Sequence, residues 1–220
     1  MNFGSIIEYL FLIPAALITL SVHECAHGYA AYKMGDPTAR NFGRLTLNPL
    51  KHLDLCGTLC MIFFHFGRAK PVPINARNFK DPRKGMAITA AAGPASNLIL
   101  AFLAAICIKL LSLLASTIYP LVPNEVLFYF FFYLIHFFEP FHVLNLSLCV
   151  FNLIPLPPLD GSRIFLVFLP PRLYFKVMRY ERVIEIALMI ALLFGAFSGV
   201  IQDVVKWLSA VMFKILFFIP

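Results

Sequence analysis

Charged side chains are scarce in this sequence: Asp, Glu, Lys and Arg together make up 13% of its 220 residues. A soluble globular protein carries about 25% charged residues. Hydrophobic residues make up 60% of the chain, and phenylalanine alone fills 24 positions. A soluble domain of this size cannot bury so much apolar surface, so the composition excludes an ordinary soluble protein and predicts an integral membrane protein.

The sequence also lacks the features of secreted and nucleic-acid-binding proteins. Its five cysteines are odd in number and indicate no disulfide framework. Cys56 and Cys60 have no second cysteine pair to complete a metal site. The apolar run 1–22 carries Glu8 where a signal peptide is basic, and no small-residue cleavage site follows, so we interpret it as a retained helix. No nucleic-acid motif accompanies the net charge of +7, so we expect no nucleic-acid partner.

Long apolar runs divide the chain into candidate membrane spans of about 20 residues each. Four segments qualify, 5–31, 86–117, 126–156 and 183–202, while 203–220 is either a fifth span or an interfacial helix and 55–66 is short enough to be re-entrant. The pattern predicts an all-α polytopic membrane protein with about four to six transmembrane helices. We expect one domain over 1–220, with its core at about 5–165 and C-terminal helices at 183–220.

Basic residues are concentrated in two loops. Ten lie between residues 32 and 85 and five between 157 and 182, which together are 15 of the 18, and residues 118–125 contain none. Lys and Arg accumulate in cytoplasmic loops. If 55–66 does not cross the bilayer, both basic loops are cytoplasmic and the N-terminus is outside. We expect this orientation, in a bacterial cytoplasmic membrane, with the positive charge facing anionic lipid.

The first apolar segment ends in the sequence His-Glu-Cys-Ala-His at residues 23–27. On a helix, side chains four residues apart share one face, so His23 and His27 can bind one zinc ion. Glu24 can act as general base on a water that the zinc activates. Ionisable side chains are rare in membrane spans and are functional by default, so we predict a metal site here rather than two structural histidines.

A catalytic zinc ion has three protein ligands and one open position, so the motif needs one more ligand. Asp160 is our choice, because the prolines before it break the end of a span and can direct its carboxylate inward. His52 is the competing ligand, at the start of the short apolar run. The remaining candidates, for which we favour a packing or supporting role, are His65, His136, Glu139 and His142.

Two segments near this site are expected to be extended. Residues 44–47 precede Asn48 and Pro49, and residues 71–75 contain two prolines that a helix does not accommodate. We predict that they form a short re-entrant β-like hairpin near the active site, with which an unwound substrate could pair as an added strand.

Three motifs now make the chain resemble the site-2 protease family of intramembrane zinc metalloproteases. They are the motif at 23–27, the sequence Gly-Pro-Ala-Ser-Asn at 93–97, and the run from Asn152 to Gly161. They occur in the family's order with spans between them, and the match covers about residues 10 to 165. Many relatives carry a PDZ or CBS domain, for which this sequence has no room.

The resemblance implies that His23, His27 and Asp160 hold one zinc ion per chain and that Glu24 activates water. It also implies that Asn152 lies beside the active site and polarises or positions the scissile carbonyl. The expected function is hydrolysis of membrane-spanning protein substrates within or at the edge of the bilayer, from the cytoplasmic side. The alternatives are a membrane metal transporter and an inactive homologue that binds a membrane partner. The sequence indicates no oligomeric state.

Overall fold

The structure, a computed structural model, describes residues 3–52 and 70–218. The α-helices of these ranges are α1 (Phe3–Lys33), α2 (Thr38–Asn41), α3 (Pro82–Ile118), α4 (Glu125–Asn152), α5 (Asp160–Phe165), α6 (Pro171–Arg179), α7 (Glu181–Leu193) and α8 (Ser198–Phe218). Single 3₁₀ turns occur at Pro49–Lys51, Ala76–Asn78 and Leu166–Phe168. No β-strand occurs within the described residues, so the all-helical class is confirmed for this part of the chain.

Among the described residues, three helices are long and apolar enough to cross a membrane: Leu10–Lys33 within α1, together with α3 and α4. The helices α7 and α8 pass the same test only as a pair that is bent by 81°. If that pair counts as one span, the described residues contain four, the lower end of the predicted range. The orientation of these spans relative to the two sides of the membrane stays a prediction.

The predicted span 183–202 was wrong as a continuous helix. The break between α7 and α8 includes Gly195, with φ of 75°, and Phe197, with φ of 68°, both in the left-handed region that ends a right-handed helix. Residues 203–218, which were expected to form a separate element, continue α8 instead. Hydropathy could not locate this break, because the residues around it are almost all apolar.

Two of the spanning helices begin at side-chain caps. Asp81 accepts hydrogen bonds from the backbone N–H groups of Arg83 and Lys84 at the start of α3, where Pro82 occupies the first helical position. Asn124 caps α4 in the same way, 2.7 Å from the nitrogen of Val126. These caps fix where each helix leaves its loop, and therefore which residues lie at the level of the site.

Small residues on α3 allow α1 and α4 to pack closely against it. Ala104 is buried with Ala15 of α1 and Phe141 of α4, and Ala101 packs against Leu146 of α4 and residues of α8. Alanine and glycine at such contacts let helix backbones approach in a bilayer, where apolar burial gives little drive for association.

A hydrogen bond between buried polar side chains also joins α1 and α4. The side-chain amide of Asn145 in α4 donates to the hydroxyl of Thr19 in α1 at 2.9 Å, and both residues are fully buried. An interhelical hydrogen bond of this kind contributes about 1 kcal/mol in membranes. The close packing and this bond together fix α1 against α3 and α4.

The predicted β-like hairpin is not supported by the described residues. Residues 44–47 and 70–75 contain no strand, and 53–69 lie outside the described residues. The two segments are joined by a side chain instead, since Arg44 donates from Nη2 to the carbonyl of Lys70 at 2.6 Å. The amides of Val72 and Asn75 donate to carboxylates, and Pro71 and Pro73 have no amide hydrogen, so few donors are left for a ladder.

Candidate metal centre

Three side chains from two distant parts of the chain converge at the C-terminal half of α1. The Nε2 atoms of His23 and His27 lie 3.0 Å apart, as one-turn spacing on a helix allows. One oxygen of Asp160, Oδ2, lies 3.3 Å from Nε2 of His23 and 3.2 Å from Nε2 of His27. The ligand atoms of these three side chains all lie within 4.8 Å of one another. Within the described residues, this trio is the group of His, Cys, Asp and Glu side chains that could hold a metal ion.

Asp160 reaches the histidines because the chain turns sharply after α4. That helix ends at Asn152, the following segment contains three prolines, and Asp160 is the first residue of α5. Gly161 permits the turn, since a Cβ at that position would lie 2.5 Å from the carbonyl oxygen of Ile154. Burial acts to raise the pKa of the Asp160 carboxyl, but the hydrogen bonds and charges of His23 and His27 hold it well below its usual value.

The second ring nitrogen of each histidine, Nδ1, contacts α3. Nδ1 of His27 lies 2.8 Å from the carbonyl oxygen of Thr89, so Nδ1 carries the hydrogen and Nε2 is free to act as a ligand. Nδ1 of His23 lies 3.1 Å from the side-chain amide of Asn97. Partners of this kind orient the histidine ligands of metal sites.

Glu24 lies beside this group and is held by the segment that follows the undescribed residues. Its Oε2 accepts a hydrogen bond from the backbone N–H of Val72 at 2.8 Å. The side chain of Val72 packs at Gly28, one turn further along α1, where a Cβ would meet it at 3.2 Å. The carboxylate therefore has a fixed position next to the first histidine.

The residues present fit a metal ion. A Cβ at Gly93 of α3 would overlap Nε2 of His27 and lie 2.6 Å from Cε1 of His23, so the missing side chain makes room for both rings. Two imidazole nitrogens and one carboxylate oxygen are the donor set of a catalytic zinc site, with the fourth position left for water or substrate. The three donors belong to the motifs at 23–27 and 152–161, and Gly93 belongs to the motif at 93–97.

A sequence model of the family described as "Peptidase family M50" matches residues 11–198, most of the chain. The chain belongs to peptidase family M50. This is the site-2 protease family, so the resemblance seen in the sequence is confirmed. The M50 chain is a membrane-embedded metalloprotease, an assignment that favours hydrolysis over the transporter and the inactive binder.

Curated relatives give the same family. The chain is 43% identical over 171 residues, 78% of its length and 74% of the relative's, to "Putative zinc metalloprotease YwhC" of Bacillus subtilis. It is 30% identical to "Putative zinc metalloprotease Rip2" of Mycolicibacterium smegmatis, covering 70% of this chain and 55% of that one. For the protein of the same name from Mycobacterium tuberculosis the identity is 27%, over 91% of this chain and 73% of the relative. No solved protein structure matches significantly.

The other predicted site residues of the M50 chain lie outside the trio. Asn152 is at the last turn of α4, and its side-chain amide donates to the carbonyl of Leu148 at 3.0 Å. His52 is buried with Nε2 2.8 Å from the carbonyl oxygen of Thr46, and it is not part of the metal-binding group. His142 packs between helices, with Nδ1 2.8 Å from the carbonyl oxygen of Ala101. The candidate His65 lies outside the described residues.

Sequence reasoning missed two kinds of partner around the M50 site. Thr89 contributes a backbone carbonyl, which any residue could supply, so no sequence signal could have found it. Asn97 was noted only as the last residue of the 93–97 motif. The spacing of Gly93 and Asn97 was a usable signal. Residues four apart share one face of a helix, so a polar amide at 97 lies on the same face of α3 as the glycine.

Proposed function

We propose that this M50 metalloprotease cleaves membrane-spanning proteins at one zinc ion per chain, held by His23, His27 and Asp160. The convergence of their ligand atoms, from residues more than 130 positions apart in sequence, carries the proposal. Zinc is the metal in the names of the related proteins, and it suits two imidazoles with one carboxylate. Family membership implies membrane-protein substrates.

Glu24 is the catalytic acid–base. Zinc, when bound, lowers the pKa of a coordinated water toward about 7 and polarises a peptide carbonyl. The carboxylate of Glu24 takes the proton of the attacking water and then passes it to the departing amine. The N–H of Val72 holds one carboxylate oxygen in place, so the other oxygen is the one that handles the proton.

The site lies inside the bundle, near one end of the spans. His23 and His27 lie about 9 to 15 Å along α1 from its end at Lys33. The residues of α3 that contact them, and the end of α4 before Asp160, lie at the same end. The sequence segments 32–85 and 157–182, which adjoin these helix ends along the chain, contain 15 of the 18 basic residues, which supports access from the cytoplasm, with the N-terminus outside.

Asn152 is proposed to position the scissile peptide. Its side chain sits where α4 ends and the chain turns toward Asp160, and it is partly exposed. Within the part of the chain that the structure describes, its amide donates to Leu148 of its own helix, so it can turn toward a substrate without breaking a contact between the described elements. An amide of this type can hydrogen-bond a carbonyl that is under attack.

The test compares purified Glu24→Gln with the wild type, using a reporter polypeptide that has one transmembrane segment and is reconstituted with the enzyme in liposomes. We expect zinc content to stay at one per chain while cleavage falls by about 10² to 10⁴, the usual contribution of a general base. Glu139→Gln is the matched control, because Glu139 is exposed on α4 and the change in charge is the same. Wild-type cleavage by Glu24→Gln would disprove the mechanism.

The same assay tests Asn152→Ala, for which we expect reduced cleavage with zinc content unchanged. Loss of zinc in that variant would instead give Asn152 a role in building the site. Full cleavage would remove it from the mechanism.

A further inference from the structure

Asn97 is a fully buried amide that contacts a predicted zinc ligand. It lies in α3, where its side-chain nitrogen is 3.1 Å from Nδ1 of His23. Its oxygen, Oδ1, has no hydrogen-bond partner among residues 3–52 and 70–218. A buried polar atom without a partner costs about 1 to 3 kcal/mol. An arrangement in which Oδ1 accepts a hydrogen bond is therefore favoured.

Zinc binding at His23 would decide whether its Nδ1 needs the nitrogen or the oxygen of the Asn97 amide as a hydrogen-bond partner. If Nε2 of His23 holds zinc, the ring hydrogen must be on Nδ1, and Nδ1 becomes a donor. A donor needs an acceptor, whereas the amide nitrogen of Asn97 is itself a donor. His27 already has such an acceptor, the carbonyl oxygen of Thr89 at 2.8 Å. Oδ1 of Asn97 is an acceptor on the side-chain amide that already contacts Nδ1 of His23.

We propose that Asn97 is a positioning residue for zinc: its Oδ1 accepts the Nδ1–H of His23 and fixes the tautomer that presents Nε2 to the metal. A half-turn of the amide exchanges nitrogen and oxygen and leaves the rest of the side chain in place. Oδ1 loses no hydrogen bond to the described part of the chain in this turn, because none is formed there. This inference rests on the proposed function, in which His23 is a zinc ligand.

The amide orientation then depends on whether zinc is bound. Without metal, Nε2–H of His23 can donate to Oδ2 of Asp160, 3.3 Å away, and Nδ1 accepts from the amide nitrogen of Asn97. With metal, the ring hydrogen moves to Nδ1 and the oxygen of Asn97 faces it. Asn97 therefore accommodates both states with one side chain, which a purely apolar residue could not do.

The test measures the zinc dissociation constant of the full-length protein in detergent, by competition with a chromophoric chelator. Asn97→Leu removes the acceptor, and we expect zinc affinity to fall about 10- to 100-fold, as for other residues that orient a ligand. Asn97→Asp keeps an acceptor oxygen in the same place, and we expect its affinity to stay within about threefold of wild type. The absorption bands of the cobalt-substituted proteins should change in Asn97→Leu and not in Asn97→Asp.

Asn145→Leu is the matched control. It also removes a fully buried amide from a membrane helix, but that amide contacts Thr19 rather than a predicted ligand. We expect its zinc affinity to equal that of the wild type. If Asn97→Leu behaves like Asn145→Leu, Asn97 has no role toward zinc. If Asn97→Asp folds but loses as much affinity as Asn97→Leu, the acceptor role is wrong.

His23→Ala separates this inference from the proposed function. If it binds zinc like the wild type, the proposed site itself fails. If it loses zinc while Asn97→Leu does not, only the role of Asn97 fails. Circular dichroism on every variant identifies those that do not fold, and the comparison of Asn97→Leu with Asn145→Leu decides the question even if Asn97→Asp is among them.

Discussion

At the scale of single residues, the absence of a side chain at Gly93 decides how closely α3 approaches the two histidines. A methyl group there would overlap Nε2 of His27 and press on Cε1 of His23. Both rings would have to move, because the atoms nearest to the added methyl group all belong to the two imidazoles. Glycine at this position is therefore tied to ligand geometry as well as to helix packing.

We expect Gly93→Ala to lower zinc affinity by about 10-fold or more, since displaced ligands no longer match the tetrahedral geometry of zinc. Chelator competition on the purified variant measures the change. Gly199→Ala is the control, because a Cβ at Gly199 in α8 would meet nothing within 4 Å. Wild-type zinc affinity in Gly93→Ala would show that the rings can shift without loss, and the argument from close approach would be wrong.

The sequence predicted the trio and Glu24 because each lies in a short pattern with its own chemistry. The patterns could not predict the partners of these residues. The Thr89 carbonyl depends on how α1 packs against α3, and helix register across a bundle is not visible in one sequence. The amide N–H of Val72, which binds Glu24, is likewise a backbone group that any residue except proline would supply.

At the scale of elements, the segment 70–78 is held in place by one buried carboxylate rather than by strand pairing. Asp36, fully buried after α1, accepts from the backbone N–H of Asn75 at 2.7 Å and from the side-chain amide of Asn78 at 2.6 Å. It also accepts from the backbone N–H of Thr38 at 3.1 Å. Burial acts to raise the pKa of Asp36, but these hydrogen bonds outweigh it and hold the pKa below its usual value.

This lowered pKa sets the pH dependence of the contact. A carboxyl group whose pKa is lower when folded stabilises the protein above its unfolded pKa, and this contribution is lost as pH falls through the folded value. We expect Asp36→Asn to destabilise the protein by about 2 kcal/mol at neutral pH, through the loss of hydrogen bonds to a charged acceptor. The difference from wild type should shrink below about pH 4, and thermal unfolding in detergent measures it.

Cleavage should also fall in Asp36→Asn while zinc affinity stays the same. Asp36 holds the segment that includes Val72, whose N–H binds Glu24, but it is not part of the metal-binding group. Asp81→Asn is the control, since asparagine caps a helix as well as aspartate does. A stability difference that stays constant from neutral pH to pH 3 would contradict the role of the charge.

The failed hairpin and the broken C-terminal span have related causes. Extended backbone at 71–75 was predicted from its prolines, but pairing was not a safe conclusion, because those same prolines remove ladder donors. The break between α7 and α8 depends on Gly195 and Phe197 adopting left-handed backbone in an apolar stretch. Amino-acid composition does not predict this left-handed backbone, because the apolar segments on both sides of the break are compatible with a helix.

At the scale of the whole molecule, every element that contributes to the site meets at one end of the bundle. The end of α1, the start of α3, the end of α4 and the whole of α5 lie there. The loops at this end contain most of the positive charge, and the opposite loop, 118–125, contains none. Hydropathy and charge were sufficient to predict this arrangement, because span length and loop charge are properties of the bilayer rather than of side-chain packing.

The orientation follows from this asymmetry and can be tested on the intact chain in cells. In a variant with the native cysteines replaced by alanine, one cysteine is introduced at a time, at Val122 in the uncharged loop or at Lys80 before α3, both of which are exposed. We expect a membrane-impermeant maleimide to label Val122→Cys in intact cells and Lys80→Cys only after permeabilisation, because loops rich in Lys and Arg accumulate on the cytoplasmic side of membrane proteins. Lys176→Cys on α6 should behave like Lys80→Cys, since both positions lie at the end that bears the site. Labelling of Lys80→Cys in intact cells would place the metal centre on the outer side and reverse the direction from which substrate and water reach Glu24.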